Sequence, residues 1–224
     1  MKIEVLQFDG MQYLKSYPDN YESGKKYPII VFLHGAGTRG TGVEVLKENS
    51  YFTTTETYDD FPFITIAPYC HEDSWVELQH TLKKLIRSIA QSDFADSKRI
   101  YVMGNSMGGY GTWQLAMGIP ELIAAIVPMC GGGMYWNAPR LINVPIWAIH
   151  GGKDNVVFTE ESQKMVDAVN NSGGNAKLTI YPDHYHDVWT DTYNNREVFE
   201  WLLSHTNENA VKIVDKYNNE KIYG

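Results

Sequence analysis

Cysteine is nearly absent. Cys70 and Cys130 are the only two in 224 residues, and they make no CxxC pair. Two thiols cannot build a disulfide scaffold, so both are expected to be free. An excess of positive charge is absent as well: 19 Lys and Arg stand against 27 Asp and Glu, a net charge of −8. An acidic chain is a poor partner for nucleic acid or an anionic membrane surface. Long hydrophobic runs are missing too. The longest, Pro28 to Leu33 and Leu122 to Cys130, fall far short of the ~20 residues a membrane helix needs. The opening MKIEVLQFDG has no apolar h-region and no small-residue cleavage site, so the expected location is the cytoplasm. Repeats and low-complexity linkers are also lacking. With 43% hydrophobic and 21% charged residues, the composition excludes a disordered chain, a collagen-like repeat and a coiled coil.

What remains is a pattern of alternating elements. IEVLQF and MQYLKSY at the start read as an antiparallel hairpin or meander. Residues 28–35, 61–68, 98–105, 124–130, 144–151 and 176–182 are short apolar runs of the kind that buried parallel strands show. Helical patterns fall between them. Leu78, Leu82, Leu85, Ile86 and Ile89 form one apolar stripe, and Tyr110, Trp113 and Met117 form another that Pro120 ends. Thr159 before Glu160 and Glu161 reads as a helix N-cap, with Gly173 as the stop. Val198, Trp201 and Leu202 mark a last amphipathic helix. The expectation is α/β: one domain over residues 1–205, with a mostly parallel sheet of about eight strands and helices on both faces. The polar residues 206–224 read as a C-terminal extension.

One motif carries chemistry. Gly104-Asn105-Ser106-Met107-Gly108 has the form G-x-S-x-G, which chance alone would place in about one chain in ten to fifteen of this length. Its context raises its weight, because it follows the strand RIYVMG and opens a helix. A serine on such a strained turn is exposed as a nucleophile, and glycine two residues either side avoids clashes. The helix behind it offers N–H groups and a positive dipole end to a developing oxyanion. Gly109 and Gly111 let that helix lie close to the sheet.

The segments HGAGTRG (34–40), GNSMGGYGTW (104–113), HGGKDNVV (150–157) and HYHDVW (184–189) resemble, in order and spacing, the α/β-hydrolases. The likeness is to the small cap-less carboxylesterases of the dienelactone hydrolase, phospholipase/carboxylesterase and feruloyl-esterase-like groups, and it covers about residues 25 to 205. It implies a triad of Ser106, Asp154 and a histidine. His186 is favoured because His186-Asp187-Val188-Trp189 matches the family's H-x-x-W, although Tyr185 stands where glycine is usual; His184 is the alternative. It further implies an oxyanion hole at the Ala36 and Met107 amides, with His34 ordering its loop and His150 shaping the turn before Asp154. Asp183, His184, His186 and Asp187 lie on one loop without distant ligands, so no metal is expected, and the chemistry calls for no cofactor. Residues 131–143 are too few for a helical lid, so the site is expected to be open. Trp75, Trp189, Met129 and Trp136, on loops at the carboxyl edge, are expected to line it. The function implied is hydrolysis of short-chain, aromatic or sugar-borne esters through an acyl-serine, with a small-molecule or saccharide ester as partner. A peptidase of prolyl-oligopeptidase type and a non-catalytic ligand-binding protein are the rival readings.

Overall fold

The computed structural model describes residues 2–220. Strands β1 (Lys2–Phe8) and β2 (Met11–Tyr17) form the expected hairpin. Its two-residue turn, Asp9-Gly10, has φ of 48° and 82°, the conformation that matches strand twist and that this residue pair tolerates best. Six parallel strands follow: β3 (Tyr27–Leu33), β4 (Ile64–Pro68), β5 (Ala95–Asn105), β6 (Ala125–Met129), β7 (Ile146–Gly151) and β8 (Ala176–Tyr181). The sheet order is β1-β2-β4-β3-β5-β6-β7-β8, with β2 antiparallel to β4.

The continuous apolar runs have a simple cause: both faces of the sheet are covered. Along β3, Ile29, Val31 and Leu33 enter one core and Ile30 and Phe32 the other. The first core is closed by helices α2 (Gln79–Ala90), α3 (Met107–Gly118) and α4 (Glu160–Asn171). The second is closed by α1 (Ser50–Thr55), α5 (Trp189–Asn194) and α6 (Arg196–Leu203), of which the sequence pattern foretold only the last. The stripe from Leu78 to Ile89 is the buried face of α2. Thr159 precedes α4 as expected, but its hydroxyl donates to Gly151 O at 2.8 Å instead of capping the helix. Gly173, at φ 90°, ends that helix.

Beyond residue 205 the chain packs against the same core. Asn207 donates its backbone N–H to Lys98 O and its side-chain amide to Glu121 O, both at 2.9 Å. Helix α7 (Ala210–Glu220) then buries Ala210 and Val214 beside the β5 face. Among the described residues, no helix is long and apolar enough to cross a membrane.

Candidate active site

The parallel strands carry their loops to one edge, and four of these loops meet around Ser106. β5 ends at Asn105, α3 begins at Met107, and Ser106 between them has φ 56° and ψ −118°. A side chain held at positive φ costs about 1–3 kcal/mol, so the surroundings must impose it. They do: Ser106 N–H donates to Met129 O on the next strand at 2.9 Å, and Ser106 O accepts from Tyr110 N at 3.1 Å. A Cβ on Gly104 would sit 2.5 Å from Leu33 O, and one on Gly108 would overlap that same carbonyl. Both glycines of the motif are therefore demanded by close backbone approach to β3.

Asp154 lies in the loop after β7 with its side chain fully buried. Oδ1 accepts from the Val156 and Val157 amides at 2.9 and 3.0 Å. Oδ2 accepts from His186 Nδ1 at 2.7 Å, and His186 Nε2 lies 2.8 Å from Ser106 Oγ. The carboxylate can only accept, so the proton sits on Nδ1 and Nε2 is free to take the serine proton. Burial on its own would raise the Asp154 pKa. The bond from His186 and those from the Val157 and Val156 amides outweigh it, so the net shift is below the usual carboxylate value.

His184 is directed elsewhere. Its Nε2 lies 2.5 Å from Asp191 Oδ2, while its carbonyl accepts from Lys153 N–H at 2.9 Å and ties this loop to the one bearing Asp154. The remaining members of the loop cluster also have separate partners: Asp183 pairs with Lys153, and Asp187 accepts from Thr190. Trp189 sets its ring edge-on to His186, with centroids 5.3 Å apart.

Ala36 opens a short 3-10 turn (Ala36–Thr38) and Met107 opens α3. First residues of helical turns have no intrahelical acceptor for their N–H, so both positions offer a donor at the strand edge. His34 orders this loop from beneath. Its Nε2 accepts from Cys70 N–H at 3.0 Å, so the proton is on Nδ1, which donates to Gly35 O at 2.8 Å. Burial, the largest influence, holds its pKa down to about 4, which keeps it neutral.

Two expected wall residues are not walls. Trp75 is 1% exposed, donates its indole N–H to His34 O at 2.9 Å, and lies against Gly111, where a Cβ would sit 2.9 Å from the ring. It is a strut under the oxyanion-side loop. Met129 is wholly buried in the second core, and its carbonyl accepts from Ser106 N–H. The expectation failed because a place at the sheet edge does not say which way a side chain turns. Trp136 is 69% exposed and edge-on to Tyr135 on the loop after β6, and Trp189 is partly buried against His186. Val156, Phe158 and Tyr185 are also largely exposed, on the loops after β7 and β8. They were missed, although apolar residues inside the polar turns KDNVVF and DHYHD were a readable signal. Beside the oxyanion-side loop, Ala36, Arg39, Gly40, His71, Glu72 and Asp73 line a polar cleft of about 480 Å³. Arg39 Nε donates to Ala36 O at 3.3 Å, and its guanidinium also bonds Asp73 O.

Residues 62–214 match the dienelactone hydrolase family. A bifunctional acetylxylan esterase/xylanase, XynS20E of Neocallimastix patriciarum, is 25% identical over 180 residues, covering 76% of this chain and 24% of that protein. The chain spans less than half the length of the curated relatives it matches. Among solved structures, a thermostable esterase superposes with a TM-score of 0.75 at 31% identity, covering 92% of this chain and 63% of that one. Est1E from Butyrivibrio proteoclasticus gives 0.69 at 18% identity, covering 91% and 98%, a likeness that shows the shared fold. With more than half of its length matched, on an eight-stranded sheet of α/β-hydrolase type, the chain belongs to the dienelactone hydrolase family.

Proposed function

We propose that the protein is a serine carboxylesterase. The observation that carries this reading is the hydrogen-bonded line Ser106–His186–Asp154, with the serine at a strained turn ahead of the N-terminus of α3. His186 Nε2 takes the hydroxyl proton as Ser106 Oγ attacks the ester carbonyl. The Ala36 and Met107 amides receive the oxyanion. The protonated His186 then hands its proton to the departing alcohol, leaving an acyl-serine. Water, deprotonated by His186, attacks that acyl group, and the proton returns to Ser106. Asp154 holds the imidazole tautomer throughout. Every proton and bond in this cycle is handled by groups of the chain.

The substrate reading rests on the two sides of the mouth. Exposed Tyr135, Trp136, Val156, Phe158 and Tyr185 suit a short or aromatic acyl group, since ring contacts add about 0.5–1.5 kcal/mol each beyond burial. The polar cleft beside Ala36 suits a hydroxyl-rich leaving group such as a saccharide, in keeping with the acetylxylan esterase named among the relatives. The test is labelling by a fluorophosphonate probe, lost in Ser106→Ala, together with a panel of p-nitrophenyl, feruloyl, acetyl-sugar and peptide-anilide substrates. Labelling and turnover of the ester members are expected. Turnover of the anilides alone would replace this reading with a peptidase, and labelling that persists in Ser106→Ala would remove the serine mechanism.

A further inference from the structure

The loop that carries Ala36 is loosely built. Four of the eight residues from 35 to 42 are glycine, and Gly40 and Gly42 sit at φ 72° and 92°. None of the three residues in the Ala36–Thr38 turn is buried, so no core side chain anchors it. Glycine has the most backbone freedom to lose, and a short 3-10 turn has poor hydrogen-bond geometry. A donor for an oxyanion, however, works only when it is fixed before the charge develops.

The direction of the Ala36 N–H is set by the two planar peptides that flank its Cα. The first ends in Gly35 O, which accepts from His34 Nδ1 at 2.8 Å and from Thr38 N–H at 3.3 Å. The second ends in Ala36 O, which accepts from Arg39 twice, from its backbone N–H at 3.1 Å and from Nε at 3.3 Å. The same guanidinium donates through Nη1 to Asp73 O in the loop after β4. Among the described residues, Arg39 is the only side chain from 35 to 42 that hydrogen-bonds outside that segment, and its Nη2 has no protein partner.

This clasp is exposed and lies along the polar cleft that Glu72 and His71 also line. Bonds from an exposed charge are worth little while water competes for it, and they strengthen when water is removed. A group that fills the cleft removes that water. A hydroxyl both accepts, as Arg39 Nη2 requires, and donates, as the Glu72 carboxylate requires. An anion would meet Glu72 and a cation would meet Arg39, so the rim selects a neutral polyol. We infer that Arg39 is a specificity-determining positioning residue: a polyhydroxyl group in the cleft seats its guanidinium, and the seated guanidinium holds Ala36 O so that the Ala36 N–H is aimed at the ester oxygen. Binding energy from the remote, non-reacting part of the substrate is thereby spent in the transition state and raises kcat. The inference rests on the serine-esterase reading and on the leaving group entering this cleft.

The test is a matched pair of acetates, methyl glucoside 6-acetate and cyclohexylmethyl acetate. Both place a primary ester on a six-membered ring, with and without hydroxyl groups. Losing an oxyanion donor outright costs about 10²–10³ in kcat, so a donor that is only misaimed should cost about tenfold. The wild-type kcat should therefore be about tenfold higher for the glucoside. In Arg39→Met, which keeps most of the stem, the ratio should fall to about one with Tm unchanged. Arg39→Lys keeps the charge without the planar fork and should lose the ratio as well. A ratio of about one in wild type, a ratio that survives Arg39→Met, or one fully kept by Arg39→Lys overturns the proposal. Hydrogen exchange gives an arm that needs no turnover: methyl glucoside in excess should slow exchange across residues 36–41 in the wild type and not in Arg39→Met. No slowing in the wild type overturns the proposal whatever the ratio. Fluorophosphonate labelling reports on the esterase reading separately, so slowed exchange without labelling would sink that reading and leave the coupling of cleft to turn standing.

Discussion

Trp75 separates a strut from a substrate wall, and the two roles predict opposite kinetics. Trp75→Phe removes the indole N–H that reaches His34 O and leaves a buried carbonyl unpaired. That costs about 1–3 kcal/mol. Trp75→Ala also empties a fully buried ring site against Gly111 and costs about 3–5 kcal/mol. In a domain of this size each kcal/mol lowers Tm by about 2–4 °C, so the expected drops are about 2–12 °C for Phe and about 6–20 °C for Ala. His34 precedes Ala36 by two residues, so a loosened His34 carbonyl misplaces the oxyanion donor. That loss falls on the transition state: kcat should drop about tenfold while KM moves by about twofold or less. Circular-dichroism melting and a p-nitrophenyl acetate titration measure both quantities. An unchanged Tm in Trp75→Phe, with KM raised selectively for an aromatic acyl ester, would refute the strut and restore Trp75 to the wall.

Ser106→Ala and His186→Ala should each cut kcat by about 10⁴- to 10⁶-fold with the fold retained by circular dichroism, while His184→Ala stays active; a dead His184→Ala would reverse the choice of base. Cys70 and Cys130 stand at the ends of β4 and β6, three strand steps or about 14 Å apart, beyond disulfide reach. Burial pushes the Cys70 thiol up to about 11 and that of Cys130 higher still, so thiol titration should find two groups, slow to react until the protein unfolds. Because the folded Asp154 pKa is depressed, its stabilising contribution is full above the unfolded value of about 3.9 and fades as pH falls through the folded one. Denaturant titrations should therefore show the stability gap between wild type and Asp154→Asn narrowing below about pH 4. Methylenes gain about 0.8 kcal/mol only when buried, and the open mouth covers few of them. Thus kcat/KM should peak at acetyl to butyryl or cinnamoyl esters and fall about tenfold by decanoyl, and a rise through decanoyl would mean a long apolar groove.

The fold was legible because its signals are local and repeated. Six apolar runs with helical stripes between them leave few topologies other than a parallel sheet covered on both faces, and the segments IEVLQF and MQYLKSY mark an antiparallel pair ahead of them. The geometry around Ser106 was legible for a different reason. Gly104 and Gly108 record a steric constraint that any side chain would violate, and such constraints survive in sequence. Helices α1 and α5, six residues each, left no stripe long enough to read, and the packing of Ala210 and Val214 hides among Asn and Lys.

The misplaced wall residues follow from what a sequence does not encode locally. Trp75 and Trp136 are equally aromatic and equally near the carboxyl edge, yet one is 1% exposed and the other 69%. The difference lies in partners distant along the chain. Gly111, on a helix after another strand, opens a slot that only a flat ring fills, and the His34 carbonyl supplies the acceptor that an indole needs when buried. Trp136 has Tyr135 beside it and stays in water. The same contrast separates two histidines near strand ends, His34 just after β3 and His150 next to last in β7. His34 accepts from Cys70 N–H and donates to Gly35 O, which ties its loop to the one after β4, whereas His150 lies against Val157 O and the Ser162 hydroxyl, which ties β7 to the loop after it and to α4. Both read as H-G at a strand end, and only the atoms brought to them by the fold decide which loop each one braces.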